Sequence, residues 1–250
     1  MADRLAVQLS ASETAIGEVK RAADLETMAK WLKSGEVDIY FDSPYPAMLV
    51  SDRSYAQPIL RRWKGGEADY YTVIFAQADS GLTSVNDLRG KLIAFDEIHS
   101  TSDYVLPFAY LLDANLTLKG KSSVSESIQP DEVGYIFTDD DDNTIQWVIS
   151  GKVDAGAVDI GTYREMPSET LAQMTRLGET DRVARHVVMI RSGIEPEKLE
   201  KIKTILIDMD RSAEGKEVLQ KFEKTTKFDN FPTQEDIAKM RQLSEQVRNR

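Results

Sequence analysis

Short apolar runs alternate along the chain with segments whose apolar residues recur every three or four positions, the pattern of an α/β fold. The clearest unit starts at Asp24, a residue suited to N-capping. Leu25, Met28, Ala29 and Leu32 follow at helical spacing, and Gly35 is placed to end the helix. Residues 37–41 then read as a strand. Ser43-Pro44 reads as an N-cap followed by proline at the first helical position. The stretch Leu32-Lys33-Ser34-Gly35-Glu36-Val37-Asp38 is echoed by Val148-Ile149-Ser150-Gly151-Lys152-Val153-Asp154, each ending a helix with Ser-Gly and entering a strand with Val-Asp. Residues 70–76 form a strong β-run. Residues 84–90 read as a short capped turn ended by glycine, and 91–95 as a buried strand. Ser100-Thr101-Ser102 offers caps for a helix through Leu112. Residues 187–190 read as another strand, and everything after Pro196 as helical with a break near 228–232. No low-complexity linker is present, so two lobes would be joined by ordered crossings, for which the runs at 70–76 and 187–190 are candidates. The expected division is lobe one at 1–77 and 186–250, and lobe two at 78–185.

Composition narrows the function. The 250 residues carry a formal net charge of -11, which disfavours nucleic acid and anionic membranes as partners, because both need clustered Lys and Arg. There is no cysteine, so disulfides, thiolate chemistry and zinc-thiolate sites are excluded. No apolar run approaches the roughly 18 residues of a membrane span. The opening Met1-Ala2-Asp3-Arg4-Leu5 has no apolar signal-peptide core. The sequence alone thus fits a cytosolic protein or one whose export signal has been removed.

In open α/β sheets, ligands bind beyond the carboxyl ends of the strands. That rule nominates 42–45, with Asp42, Ser43 and Tyr45; 96–104; and 158–163, with Asp159. In the second segment three consecutive hydroxyl residues, Ser100, Thr101 and Ser102, follow a strand and open a helix. Backbone N–H groups and hydroxyls would converge there on the positive end of a helix dipole. Simple N-capping needs only one of the three, and the residues leave both readings open. Tyr40, Tyr45, Tyr70 and Tyr71 suit a cleft wall or the core. The run Asp139-Asp140-Asp141-Asp142 suits a solvated acidic first turn, and its functional reading has one or two carboxylates holding a cationic group. Only two histidines occur, His99 and His186. No G-x-S-x-G elbow, Walker A loop, G-x-G-x-x-G turn or H-E-x-x-H pair is present, so the sequence reads as a non-enzyme without a cofactor or metal.

Asp79-Ser80-Gly81-Leu82, the run Ser84 to Gly90, Ala94-Phe95, Ser100-Thr101-Ser102 and Pro107 together resemble the phosphate/phosphite/phosphonate-binding (PhnD-type) solute-binding proteins of ABC transporters. Gly35 to Asp38, Gly151 to Ala157 and Thr225 to Asp229 also fit. The resemblance implies a type II periplasmic-binding fold: two α/β lobes closing around a small-molecule ligand. It implies a monomer outside the cytoplasm that delivers the ligand to a transporter permease. It places an anionic head at Ser100, Thr101 and Ser102, with Tyr70 similar to a cleft tyrosine and Ser43 opposite. Three positions depart from the family pattern. Asp42 stands where its phosphonate binders carry a tyrosine, Asp103 where a glycine follows the Ser-Thr-Ser run, and Asp141 where a histidine contacts the phosphonate. Carboxylates repel a dianion, which counts against phosphonate itself, and the expectation is a small anionic or zwitterionic, phosphonate-like ligand, a zwitterion having its cationic part face Asp42 or Asp141. The family also opens with a signal peptide and a central strand. Here Leu5, Val7 and Leu9 already read as the first helix, so lobe one is expected to lack its first strand. The alternative function is a ligand-sensing module of a signalling system on the same fold.

Overall fold

The computed structural model describes residues 1–10, 12 and 14–248. It separates into two compact units. Unit 1 comprises Met1–Asp69 and Val183–Arg241, and unit 2 comprises Tyr70–Arg182 and Gln242–Arg250.

Unit 1 holds a four-stranded antiparallel sheet in the order Ile39–Asp42, His186–Ile190, Gln57–Lys64, Thr225–Asp229. Thr225–Asp229 lies within the tract read from sequence as helical after Pro196. Its Thr-Thr-Lys-Phe-Asp composition buries little apart from Phe228 and Thr225, and its identity as a strand comes from pairing with distant Gln57–Lys64. The helices of that tract are Pro196–Asp208, Ala213–Lys221 and Gln234–Arg248. The first element of the chain is helix Ala2–Ser10, with Leu5 buried, and among the described residues no strand precedes it. The strand at 187–190 lies wholly in unit 1 as His186–Ile190.

Unit 2 holds a six-stranded sheet in the order Thr117–Gly120, Glu132–Phe137, Leu92–Phe95, Ala155–Asp159, Thr72–Gln77, Met174–Glu179. The first four run parallel, and Thr72–Gln77 is antiparallel to both of its neighbours. The β-run at 70–76 therefore forms an inner strand of unit 2, pairing with Ala155–Asp159 and Met174–Glu179. The units divide at 69/70, ahead of the 77/78 boundary expected from sequence. Every residue from Val73 to Ala76 is fully buried, as an inner strand covered on both faces requires. Val73 and Phe75 pack with Leu92, Ala94, Val158 and the helix residues Ile145 and Val148.

The two echoed stretches share one backbone device. Gly35 (φ 78°) closes helix Leu25–Ser34 before strand Ile39–Asp42. Gly151 (φ 66°) follows helix Asp141–Ile149 before strand Ala155–Asp159. Both angles lie in the left-handed region, which glycine enters without Cβ strain.

Gly156 sets how closely helix Asp141–Ile149 approaches the sheet. A Cβ there would come within 2.9 Å of Val148 Cγ2 and 3.0 Å of Thr144 Cγ2, both on stiff β-branched side chains of that helix. Gly156→Ala is therefore expected to cost roughly 1–3 kcal/mol through overpacking. Thermal melting checks this, since a drop of a few degrees or more follows for a chain of this size.

Candidate functional site

Strands Leu92–Phe95, Glu132–Phe137 and Ala155–Asp159 are parallel and adjacent, so their carboxyl ends open on the same edge of unit 2. Four carboxylates gather there. Asp96 directly follows the first strand, and Asp141 opens the helix after the second. Asp159 is the last residue of the third strand, and Asp103 lies in the turn after Asp96. Backbone hydrogen bonds pin the loops to one another. Asp96 O accepts from Thr138 N (3.2 Å) and Asp139 N (2.9 Å), and Asp96 N donates to Asp103 O (3.3 Å). Asp139 sits at φ 60°, which Asp tolerates better than most residues, and it turns the chain into the next helix. Asp140 caps that helix through Asp142 N (2.8 Å) and Asn143 N (3.4 Å). The solvated reading of the acidic run thus holds for the exposed Asp139, Asp140 and Asp142. Asp141 departs from it, because the start of its helix turns it toward Asp96 and Asp103.

The Ser-Thr-Ser run opens a π-helical turn, Thr101–Val105, which continues into helix Leu106–Asp113. Ser100 is its N-cap: its hydroxyl accepts from Asp103 N (3.0 Å) and donates to Asp103 Oδ2 (3.1 Å). Ser102 Oγ donates to the same Oδ2 at 2.7 Å. The Thr72 hydroxyl donates to Ser102 O, tying the turn to the inner strand. Asp103 therefore receives two of the three hydroxyl donors that the sequence reading assigned to an external anion. Thr101 is buried beside them, 3% exposed.

Among the leading influences on Asp96, Asp103 and Asp141 there is no cationic side chain. Burial raises the Asp103 carboxyl well above the ordinary range, reinforced by the charges of Asp141 and Asp159. Burial raises Asp141 to about 6; the Thr162 hydroxyl opposes this and Asp159 adds to it. Asp96 is raised to about 6 by burial and then by Asp141. Thr162 Oγ1 lies 3.1 Å from Asp141 Oδ2 and 2.9 Å from Asp159 Oδ2, serving two carboxylates with one proton. Asp159 Oδ1 accepts from Gly161 N (2.8 Å). The Oδ1 atoms of Asp103 and Asp141 are buried without a hydrogen-bond partner. A cavity of about 430 Å3 opens onto the group, lined by Asp96, Glu97, the Asp139–Asp142 run, Thr162 and Glu165.

Of the nine residues nominated from sequence, Ser100, Ser102, Asp141 and Asp159 gather around Asp103, with Thr101 in the same turn. Tyr70, also in unit 2, is buried in the short strand Asp69–Tyr70. Asp42, Ser43 and Tyr45 belong to unit 1. There Asp42 Oδ1 accepts from Ser43 N (2.7 Å) and Oδ2 accepts from the Tyr40 hydroxyl, while Asp42 helps hold the charge of buried Arg62. Ser43 occupies the N-cap position of helix Pro44–Ser54 with proline at the first helical position, as read from sequence, though its side chain makes no capping bond, and Tyr45 is buried. His99 is exposed. Asp96 and Asp103 fall inside the 96–104 segment nominated by the strand-end rule but were not singled out as contacts; the further sequence signal was the acidic residue directly after Ser-Thr-Ser.

The family described as "ABC transporter, phosphonate, periplasmic substrate-binding protein" matches residues 1–235. The chain belongs to this family. It is a family of transporter solute-binding proteins with the type II periplasmic-binding fold, not a family of enzymes. A family relative, the phosphate-import protein PhnD of Mycolicibacterium smegmatis, is 24% identical over 201 residues, covering 75% of this chain and 60% of that protein. The chain thus spans less than two thirds of that relative's length. Among solved structures, XAC2383 from Xanthomonas citri bound to ATP superposes with a TM-score of 0.91 and 26% identity, covering 99% of this chain and 92% of that one. PhnD1 from Prochlorococcus marinus in complex with methylphosphonate matches with a TM-score of 0.69 and 14% identity, covering 100% and 91%. No helix among the described residues is long and apolar enough to cross a membrane.

Proposed function

We propose that this chain works outside the cytoplasm as the solute-binding component of an ABC importer, and that its ligand is a small phosphorus oxyanion bringing its own positive charge. Family membership supports the delivery role. The observation that carries the ligand class is Asp103, whose carboxylate takes the hydroxyls of Ser100 and Ser102 and stands among Asp96, Asp141 and Asp159. A free dianion entering this edge meets like charge at close range. A zwitterion such as an aminoalkylphosphonate, or an oxyanion complexed with a metal, brings the charge the edge lacks. XAC2383, 26% identical to this chain, is bound to ATP, a phosphorus oxyanion, which supports the phosphorus-oxyanion part of the reading. Asp141 is the better cation partner than Asp42, because Asp42 already receives a tyrosine hydroxyl and a backbone N–H.

Native mass spectrometry of protein purified without denaturation tests the proposal. The expected retained mass is a phosphorus-containing compound with an amino group or a bound metal. Retention of a sugar or a simple amino acid would overturn it.

A further inference from the structure

We propose that Asp96, Asp103 and Asp141 form a site for one divalent cation of the calcium or manganese kind, whose open positions take the oxyanion of the ligand. The second clause rests on the function proposed above; the first does not. One oxygen from each of the three carboxylates can be chosen so that all lie within 4.8 Å of one another. A calcium ion holds its oxygens at 2.3–2.6 Å, so oxygens on opposite sides of it lie about 5 Å apart. Magnesium, at 2.0–2.1 Å, would require the cluster to contract.

A second observation, independent of the clustering, points to an occupant. Asp103 is 6% exposed, and its Oδ1 is buried without a partner. The two serine hydroxyls engage Oδ2, so Oδ1 is the oxygen of this side chain left with no donor and free to take a cation. Asp141 repeats the arrangement: Thr162 holds Oδ2 and Oδ1 is buried and unpartnered. A buried carboxylate oxygen with no donor is costly. Carboxylates that ligate metals are themselves held by outer hydrogen bonds, as these two are.

The donor set favours a metal over an organic cation. All three ligands are hard carboxylate oxygens, which suit calcium, magnesium and manganese. The cavity beside them is lined by acidic residues and one threonine, with no aromatic or aliphatic side chain to receive the carbon stem of an amine. A hydrated metal ion needs no such wall, and its remaining positions suit water or a phosphoryl oxygen.

The test uses calorimetric titration of chelator-treated protein with Ca2+ and with Mn2+ alone, Mn2+ also being followed by electron paramagnetic resonance. The expected result is one ion per chain. Asp141→Asn should weaken it ten-fold or more and Asp103→Asn should abolish it, whereas Asp79→Asn, exposed and outside this edge, leaves it unchanged. Circular dichroism confirms folding, and the half-exposed Asp96→Asn serves if Asp103→Asn fails to fold. No uptake at millimolar metal, or uptake that survives Asp141→Asn and Asp96→Asn, overturns the site. Methylphosphonate titrations with metal and with chelator separate the two claims. Metal uptake lost in the variants, with phosphonate binding indifferent to metal, keeps the cation site and overturns its role in ligand capture. An aminoalkylphosphonate that binds in chelator to protein that takes up no metal overturns the cation site and leaves the solute-binding reading standing.

Discussion

Asp103→Gly is expected to convert the site into one that binds plain methylphosphonate or phosphate, with affinity raised about a hundred-fold or more over the natural chain in chelator. Two effects act in the same direction. Removing the carboxylate frees the hydroxyls of Ser100 and Ser102, which now donate to Asp103 Oδ2. Each hydrogen bond to a charged group contributes about 1.5–3 kcal/mol, so two correspond to a hundred-fold or more. The change also removes a buried acidic group, whose ionisation is already disfavoured by burial and by Asp141 and Asp159, from the place a dianion would enter. Glycine within the first helical turn costs on the order of 1 kcal/mol of stability, which does not offset the gain in binding. Calorimetric titration with methylphosphonate is the check. An unchanged affinity would show that these hydroxyls are a cap for the turn and not a cradle for ligand.

Asp141→Asn is expected to stabilise the chain at pH 7.5 in chelator and to have little effect near pH 3. The Asp141 carboxyl is raised to about 6 in the folded chain, against about 4 when unfolded. A carboxyl raised by folding favours the folded state fully below the unfolded value, and that advantage is lost as pH rises through the folded value. Above pH 6 the natural chain therefore carries an unfavourable ionisation that asparagine does not have. A shift of this size corresponds to on the order of 2 kcal/mol, and the melting point of the variant should exceed that of the natural chain by about 4–8 °C at pH 7.5. The comparison must be between chains, because His186 contributes with the opposite sign. Burial and the nearby Arg62 depress its pKa, so it favours folding as pH rises. That contribution is common to both chains and cancels in the difference. Equal melting points at pH 7.5 would contradict the unfavourable ionisation of Asp141, set first by burial and then by neighbouring carboxylates, on which the ligand argument depends.

The parts of this fold legible in the sequence are those fixed by neighbouring residues. Gly35 and Gly151 ended helices where the Ser-Gly-x-Val-Asp echo put them, because a left-handed C-terminal residue is a local requirement. The capping role of Ser100 was equally local. Thr225–Asp229 was missed because a weakly apolar strand is defined by its partner at Gln57–Lys64, more than 160 positions away. The acidic edge was hidden for the same kind of reason. Asp96, Asp141 and Asp159 meet because three strands that are not consecutive in sequence lie side by side in the sheet. The residue after Ser-Thr-Ser was visibly acidic, but only geometry shows that Asp103 turns back onto Ser100 and Ser102. Asp42 and Asp141 looked equivalent in sequence. Tyr40 and the backbone of Ser43 distinguish them.

The central claim is that this edge accepts a phosphorus oxyanion only with a compensating positive charge. Calorimetric titration of the natural chain at pH 7.5 tests it with three ligands: methylphosphonate in chelator, an aminoalkylphosphonate in chelator, and methylphosphonate with millimolar Ca2+. The account predicts weak or undetectable binding in the first and at least ten-fold tighter binding in one or both of the others. Methylphosphonate binding in chelator as tightly as in either of the other two would contradict it.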